Sequence, residues 1–536
     1  MSIEYKIKGK TFSTKESNDD IIITNTVNGS HHKITVKALK DLTLLDSTID
    51  GKIKFSREDT LFFNGYQSWT DSHEKSYISH ENNVYAFKHL IVKKYALDKY
   101  GDASFYHYNN FMLHGYDLFY SKGEHESFIY NLNYKNASLI CEYSRLNKKL
   151  SLKSAAYNKT LKAGEEFTLF EFKKFKNYEE GLTSFKKDFS IENHEKIFGY
   201  TSWYNYYQNI NEEIILRDLE ALDSRFNLFQ IDDGYETKVG DWTSIDSKKF
   251  PNGLNSIVEK IHSKGLKAGI WLAPFVAEEE SELFKNHKEL FKKDSKGKFI
   301  KCGSNWSGFY ALDLENEKAI DHIKESLQYY VDMGFDFFKL DFLYAAGLPI
   351  YQNMTRAQMM EKAYTLLKEI LKDKLILGCG ATLFNSYKKF DYLRVGPDVS
   401  LEFNDVIYMR MMHRERNSTK VTIKNTIFRS IVNNSLFNND PDVFLLRDDN
   451  IKLNNSQKES LIIINALFGN VLMTSDNIAT YDEKKKELLA KALDIFINAT
   501  NQKFVKKSDK IEITYMLHEK EYEVTYDAQK GVLLWK

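Results

Sequence analysis

Over residues 1–185 apolar and polar positions alternate in short runs, among them KITVKAL, SLICEY, KLSLKSA and EFTLFEF, separated by clusters of Asn, Gly, Asp and Lys. A period of two puts every second side chain on one face of a half-buried strand, so this stretch predicts an antiparallel β-sandwich. From about residue 196 the texture changes to apolar strands ending in polar residues, each followed by a helical pattern. In NEEIILRDLEAL, Asn211 can cap the helix, Glu212 and Glu213 suit its dipole, and Ile215, Leu219 and Leu222 share one face. Gly265 and Gly334 each close a helix and lead directly into a strand, as αβ loops with a left-handed cap do.

The strands so marked are FGYTSW (198–203), NLFQID (227–232), KAGIWLA (267–273), DFFKLD (336–341), LILGCG (375–380), YLRVGPD (392–398), a weaker one before Asp440, and NVLMTSD (470–476). Eight strands with helical intervals fit a (β/α)8 barrel, whose active site lies at the carboxyl ends of its strands. The interval 278–315 exceeds a simple loop and carries Trp306, which predicts an insertion over that site. A helix near 481–500 and three strand patterns, KIEITYML, EYEVTYD and GVLLWK, close the chain. The expected architecture is a multidomain α/β chain. Residues 1–185 form the N-terminal β-sandwich, 186–480 a central (β/α)8 TIM barrel, and 481–536 a small C-terminal antiparallel β-domain. All five prolines fall between Pro251 and Pro441, so the two large parts also differ in composition.

Lys+Arg and Asp+Glu each total 75 in 536 residues, which leaves no global field to recruit nucleic acid or an anionic membrane. No stretch approaches the roughly 20 apolar residues that span a bilayer, and MSIEYKIKGK lacks the apolar run of a secretory signal; a cytoplasmic location is expected. Cys141, Cys302 and Cys379 form neither a disulfide framework nor a metal-ligand spacing, which predicts three reduced thiols. An aromatic content of 14% fits both large cores and sugar sites; from the zero formal charge a small neutral ligand is the expected partner, and a homo-oligomer is compatible with the sequence.

Acidic residues end four of the strands: Asp232 with Asp233, Asp341, Asp398 and Asp476. In DFFKLDF, Lys339 and Asp341 share the face that points into the barrel mouth, where an ammonium beside Asp341 would hold it ionised, as a nucleophile requires. A structural Lys–Asp pair has the same spacing. In YLRVGPDVS, Arg394 and Asp398 share a face; Asp398 is the candidate general acid, although Arg394 would lower its pKa unless ionised Asp341 raises it more. Asp232 and Asp233 could ligate a metal, act as catalytic carboxylates, or accept hydrogen bonds from sugar hydroxyls. No His or further acid stands at ligand spacing, which favours hydroxyl binding and predicts neither metal nor cofactor. Trp69, Trp203, Trp242, Trp271 and Trp306 are core residues on their composition alone, yet Trp203 and Trp271 end barrel strands or nearly so, where a ring can stack on a pyranose.

At these motifs the chain resembles glycoside hydrolase family 36, the alpha-galactosidases of clan D. The resemblance rests on FFNGYQSW (62–69), GYTSWYNYY (199–207), QIDDGYETKVGDW (230–242), GIWLAPF (269–275), FKLDFLYAAG (338–347), LGCG (377–380), RVGPD (394–398) and NDPD (439–442), in order. It implies Asp341 as nucleophile, Asp398 as acid/base, and Asp232 and Asp233 as ligands of the galactose 4- and 6-hydroxyls. It also implies that Trp203, Trp271, Lys339, Cys379 and Arg394 line the pocket, with Trp69 reaching in from the sandwich. The chain departs from the family pattern at Thr201, at Ala381 and Thr382, and at Val399 to Leu401. The activity so implied is retaining hydrolysis of terminal alpha-linked galactose from oligosaccharides such as melibiose or raffinose. On the same scaffold the alternatives are an alpha-N-acetylgalactosaminidase, with room at C2 near Ala381, and a galactosyltransferase like the raffinose synthases; a non-catalytic sugar-binding protein is a further alternative, against which both carboxylates stand in their motifs.

Overall fold

A computed structural model describes the chain except residues 80–88, 108–110, 193, 352, 407–408 and 410–413, and the side chains of 89–91. Residues 1–175 form two antiparallel seven-stranded sheets face to face. One runs Lys10–Thr14, Ser2–Ile7, Leu42–Lys52, Lys149–Ser154, Leu139–Ser144, Met112–Tyr116, with Thr160–Leu161 beside Leu42–Lys52. The other runs Ile21–Asn28, His31–Ala38, Glu166–Phe175, Ser127–Asn131, Leu118–Lys122, Thr60–Phe63, Lys75–Ser76. Alternation sets the buried face: in His31–Ala38, Ile34, Val36 and Ala38 are buried and the residues between them are not. Helix Tyr178–Asp188, capped by Asn177, lies on the second sheet through Phe185 against Phe128.

The parallel strands Ile197–Thr201, Leu228–Ile231, Lys267–Leu272, Phe337–Leu340, Leu375–Gly378 and Tyr392–Arg394 pair in sequence order, and Val471–Thr474 returns to pair with the first. The seventh strand is broken at Pro441–Asp442. Its first part, Asn438–Asp440, pairs with the sixth strand, and its second, Val443–Phe444, pairs with the eighth, so the ring closes across the break. The expected barrel, sandwich and C-terminal sheet are all present. Asn211 caps helix Glu212–Ala221 by accepting from the Ile214 N–H, and Gly265 and Gly334 take positive φ of 76° and 100° at their helix ends.

The long interval after the third strand folds over the barrel mouth as a small sheet of Val276–Glu278, Phe309–Ala311 and Lys301–Gly303. The C-terminal sheet has four strands rather than three. Thr500–Lys507 precedes the expected ones and pairs with Lys510–Leu517. Its residues TNQKFVKK alternate exposed with half-buried positions and bury no side chain fully, so its apolar signal is weak. Among the described residues no helix is long and apolar enough to cross a membrane.

The sandwich closes one side of the barrel mouth. Its 64–72 loop is held by the fully buried Arg429, whose guanidinium donates to Asn64 Oδ1 at 3.1 Å, the Gln67 carbonyl at 3.1 Å and, within the barrel, the Val395 carbonyl at 2.9 Å. Asn425 Nδ2 donates to the Thr70 carbonyl at 3.0 Å, and the Ser68 N–H donates to the Ala381 carbonyl at 2.9 Å.

Candidate active site

A cavity of about 500 Å³ opens at the carboxyl ends of the barrel strands. Its wall includes Asp232 and Asp233 beyond the second strand, Trp271 in the third, Lys339 and Asp341 at the fourth, Asp398 beyond the sixth, and Trp203, Trp69 and Trp306. Nine of the residues singled out in the sequence therefore meet in one cavity. Cys379 and Arg394 stand behind the wall rather than in it. Cys379 Sγ accepts from Trp69 Nε1 at 3.2 Å and so backs the tryptophan; Arg394 lies behind Asp398. The ring of Trp69 crosses closely over Gly380, where an added Cβ would stand 3.1 Å from it and the backbone has a φ of +62°.

Asp341 is held by two donors, Trp271 Nε1 at 3.1 Å and the Phe342 N–H at 2.8 Å. The ammonium of Lys339 does not serve it directly. Lys339 Nζ donates instead to Asp232 Oδ2 at 2.7 Å, because the side chain crosses from the fourth strand toward the second. Burial raises the Asp341 pKa above the usual carboxylate range and the charge of Asp398 adds to this, while Lys339 and the two N–H donors oppose it. The expectation that the ammonium of Lys339 holds Asp341 ionised is thus corrected: Lys339 lowers its pKa, but burial outweighs it. Asp232 is the best-supplied carboxylate, accepting also from Gln230 Nε2 at 2.7 Å and Thr201 Oγ1 at 3.2 Å.

Asp398 is the more open acid, with a third of its side chain exposed. Its Oδ1 accepts from Arg394 Nη1 at 3.0 Å and Tyr204 Oη at 3.1 Å, and Oδ2 from Asn417 Nδ2 at 3.4 Å. Arg394 is shared with Asp440 and Asp442, each 2.8 Å away, so its charge is divided among three carboxylates. Burial pushes Asp442 up to about 7 against the pull of Arg394, and its Oδ2 accepts from the Val399 N–H at 2.7 Å and from Tyr204 Oη at 2.5 Å. Asp442 follows the proline that breaks the seventh strand; its φ of 75° turns the chain there.

The outer wall was not foreseen. Tyr95, Leu97 and Tyr100 reach in from the N-terminal part, Ser304 and Asn305 from the insertion, and Met409, Glu415 and Asn417 from the segment after the sixth strand. They lie in loops without hydrophobic periodicity, and only Trp306 in the insertion gave a signal. Ala381 and Thr382, two of the family departures, do not face the cavity: Ala381 is fully buried with its N–H on Ser68 Oγ at 3.3 Å, and the Thr382 N–H donates to Tyr364 Oη at 3.1 Å. Among the described residues no group of three or more His, Cys, Asp or Glu is arranged to hold a metal ion.

Residues 177–375 match the family model described as Melibiase. Alpha-galactosidase 1 of Pediococcus pentosaceus is 31% identical over 144 residues, 24% of this chain and 19% of that protein. The A type blood alpha-D-galactosamine galactosaminidase of Flavonifractor plautii is 32% identical over 146 residues, 25% of this chain and 13% of that protein. The matches thus span less than a fifth of either relative. In three dimensions the chain superposes on the Thermus thermophilus alpha-galactosidase solved with p-nitrophenyl alpha-D-galactopyranoside, with a TM-score of 0.72 over 93% of this chain and 98% of that one at 22% identity. That likeness establishes the shared fold.

Proposed function

We propose that the chain, whose residues 177–375 match the family model described as Melibiase, is a retaining, exo-acting alpha-galactosidase. The observation that carries the reading is that Asp341 and Asp398, from the ends of two different strands, face one cavity floored by Asp232, Asp233 and Lys339. Asp341 attacks the anomeric carbon while Asp398 gives its proton to the leaving oxygen; water then enters, loses a proton to Asp398, and the Asp341 ester breaks. Burial raises the Asp341 pKa, and a proton on Asp398, as the general acid carries, removes the smaller like-charge contribution to that rise. Asp232, paired with Lys339 at 2.7 Å, accepts from an axial 4-hydroxyl, and Asp233 from the 6-hydroxyl. Terminal alpha-galactosides such as melibiose and raffinose are the substrate class. The three buried free thiols fit a reducing compartment, the cytoplasm. The galactosaminidase alternative drew on Ala381, which is fully buried and does not line the cavity.

A panel of nitrophenyl alpha-glycosides tests the reading, with rapid cleavage of the galactoside and slow cleavage of the gluco analogue expected; comparable rates would sink it. Product analysis with added sucrose separates hydrolysis from galactosyl transfer. Azide distinguishes the two acids: Asp341→Gly should yield beta-galactosyl azide and Asp398→Ala the alpha anomer, and the opposite assignment of anomers would reverse the roles.

A further inference from the structure

The two neighbouring aspartates of the cavity floor are held in different ways. Asp232 has a cation, Lys339, at 2.7 Å. Among the described residues no Lys, Arg or His pairs with Asp233, which accepts instead from Trp306 Nε1 at 2.8 Å and Gln208 Nε2 at 3.1 Å. Behind it on the same turn stands Glu236, buried, with Oε2 accepting from the Gly234 N–H at 3.2 Å and its carboxyl group next to that of Asp233. Two carboxyl groups in contact and out of water cannot both be anions at low cost.

We propose that Glu236 is a positioning residue for sugar binding: a proton held between its carboxyl group and Asp233 takes the place of the missing cation and fixes the Asp233 oxygens toward the cavity. The inference rests on the reading of Asp233 as a ligand of a sugar hydroxyl, and assigns Glu236 a part in it.

Burial raises both carboxyl groups; Asp233 raises Glu236 further, whereas the contact with Glu236 lowers Asp233, so the proton resides on Glu236. The charges facing Glu236 do not replace it. Asp232 lies on its own turn, and Tyr330 approaches from helix Glu317–Asp332. Beyond it a second cavity of about 400 Å³ carries Lys238, Asp246, Lys249, Glu278 and Glu280. Lys238 is engaged by Glu280 at 2.8 Å, and Lys249 Nζ by the carbonyls of Gln208 and Gly234 at 2.7 and 2.9 Å. Loss of the proton as pH rises therefore places two bare carboxylates side by side. Asp233 then turns from its donors and the sugar binds less well, in ground state and transition state alike, which appears in KM rather than kcat.

The experiment compares wild type, Glu236→Leu and Glu236→Gln from acid to alkaline pH, measuring kcat and KM on p-nitrophenyl alpha-galactoside and calorimetric binding of galactose, with melting temperature as a control for folding. Glu236→Leu removes the donor and should raise KM about tenfold. Glutamine donates to Asp233 and accepts from the Gly234 N–H without a titrating proton. Glu236→Gln should therefore recover most of that loss at neutral pH and abolish the alkaline rise of KM that wild type shows. A wild-type KM that does not change with pH, or a Glu236→Gln enzyme with the same alkaline rise as wild type, overturns the positioning role while leaving the functional reading intact. A wild type that neither binds galactose nor cleaves the galactoside overturns both.

Discussion

The floor of the cavity and its rim are built on opposite terms. On the floor, Asp232, Lys339 and Asp341 stand at or just beyond strand ends, buried, with at least two polar partners for each aspartate within 3.2 Å. At the rim, Tyr95, Leu97, Tyr100, Asn305 and Met409 come from three separate loops and offer mostly rings and apolar side chains. Preorganised charge on rigid strands suits the reacting bond, and aromatic loops suit a leaving group that varies in shape. The floor should therefore govern kcat and sugar identity, and the rim KM for the leaving group.

The sharpest way to break that division is Asp398→Ala, which should lower kcat/KM on melibiose by about 10²- to 10⁴-fold yet act mildly on a dinitrophenyl galactoside that needs no proton. Equal losses on both substrates would show that Asp398 is not the general acid. Next, Lys339→Met leaves Asp232 as a buried anion without its cation; it should cost about 3 kcal/mol of stability, read by denaturant unfolding, and most of the galacto over gluco preference. An unchanged preference would detach Asp232 from hydroxyl recognition. The smallest effect is expected at the rim. Tyr100 Oη donates to Asn305 Oδ1 at 2.5 Å and accepts from the Ser304 N–H at 3.0 Å, tying the N-terminal part to the loop that carries Trp306. Tyr100→Phe should raise KM about fivefold with kcat unchanged, one hydrogen bond's worth. A fall in kcat instead would mean that the rim shapes the reacting geometry too.

The same contrast explains what the sequence discloses. A barrel strand announces itself by an apolar run, and its last polar residues are in the mouth by construction, so Asp232, Asp341 and Asp398 were legible. Partners across strands were not. DFFKLD sets Lys339 two residues from Asp341, but the register that brings its ammonium to Asp232 belongs to the folded sheet. Tyr95 and Tyr100 lie in a stretch with no period and no turn motif, and nothing local marks them as cavity residues. Trp69 was found only through its motif, since its route to Cys379 crosses from one sheet system to another.

Arg429 bears on how such a chain can be divided or recombined. Its guanidinium sits on the barrel side with no exposure, and two of its acceptors, Asn64 Oδ1 and the Gln67 carbonyl, belong to the sandwich. A barrel expressed alone would carry a stranded interior cation and a cavity lacking the Trp69 wall. The two halves are therefore not interchangeable modules. A chimaera between relatives keeps this cavity only when the 64–72 loop, Asn425 and Arg429 are inherited together, so the heritable unit of this scaffold runs across the seam between the sandwich and the barrel.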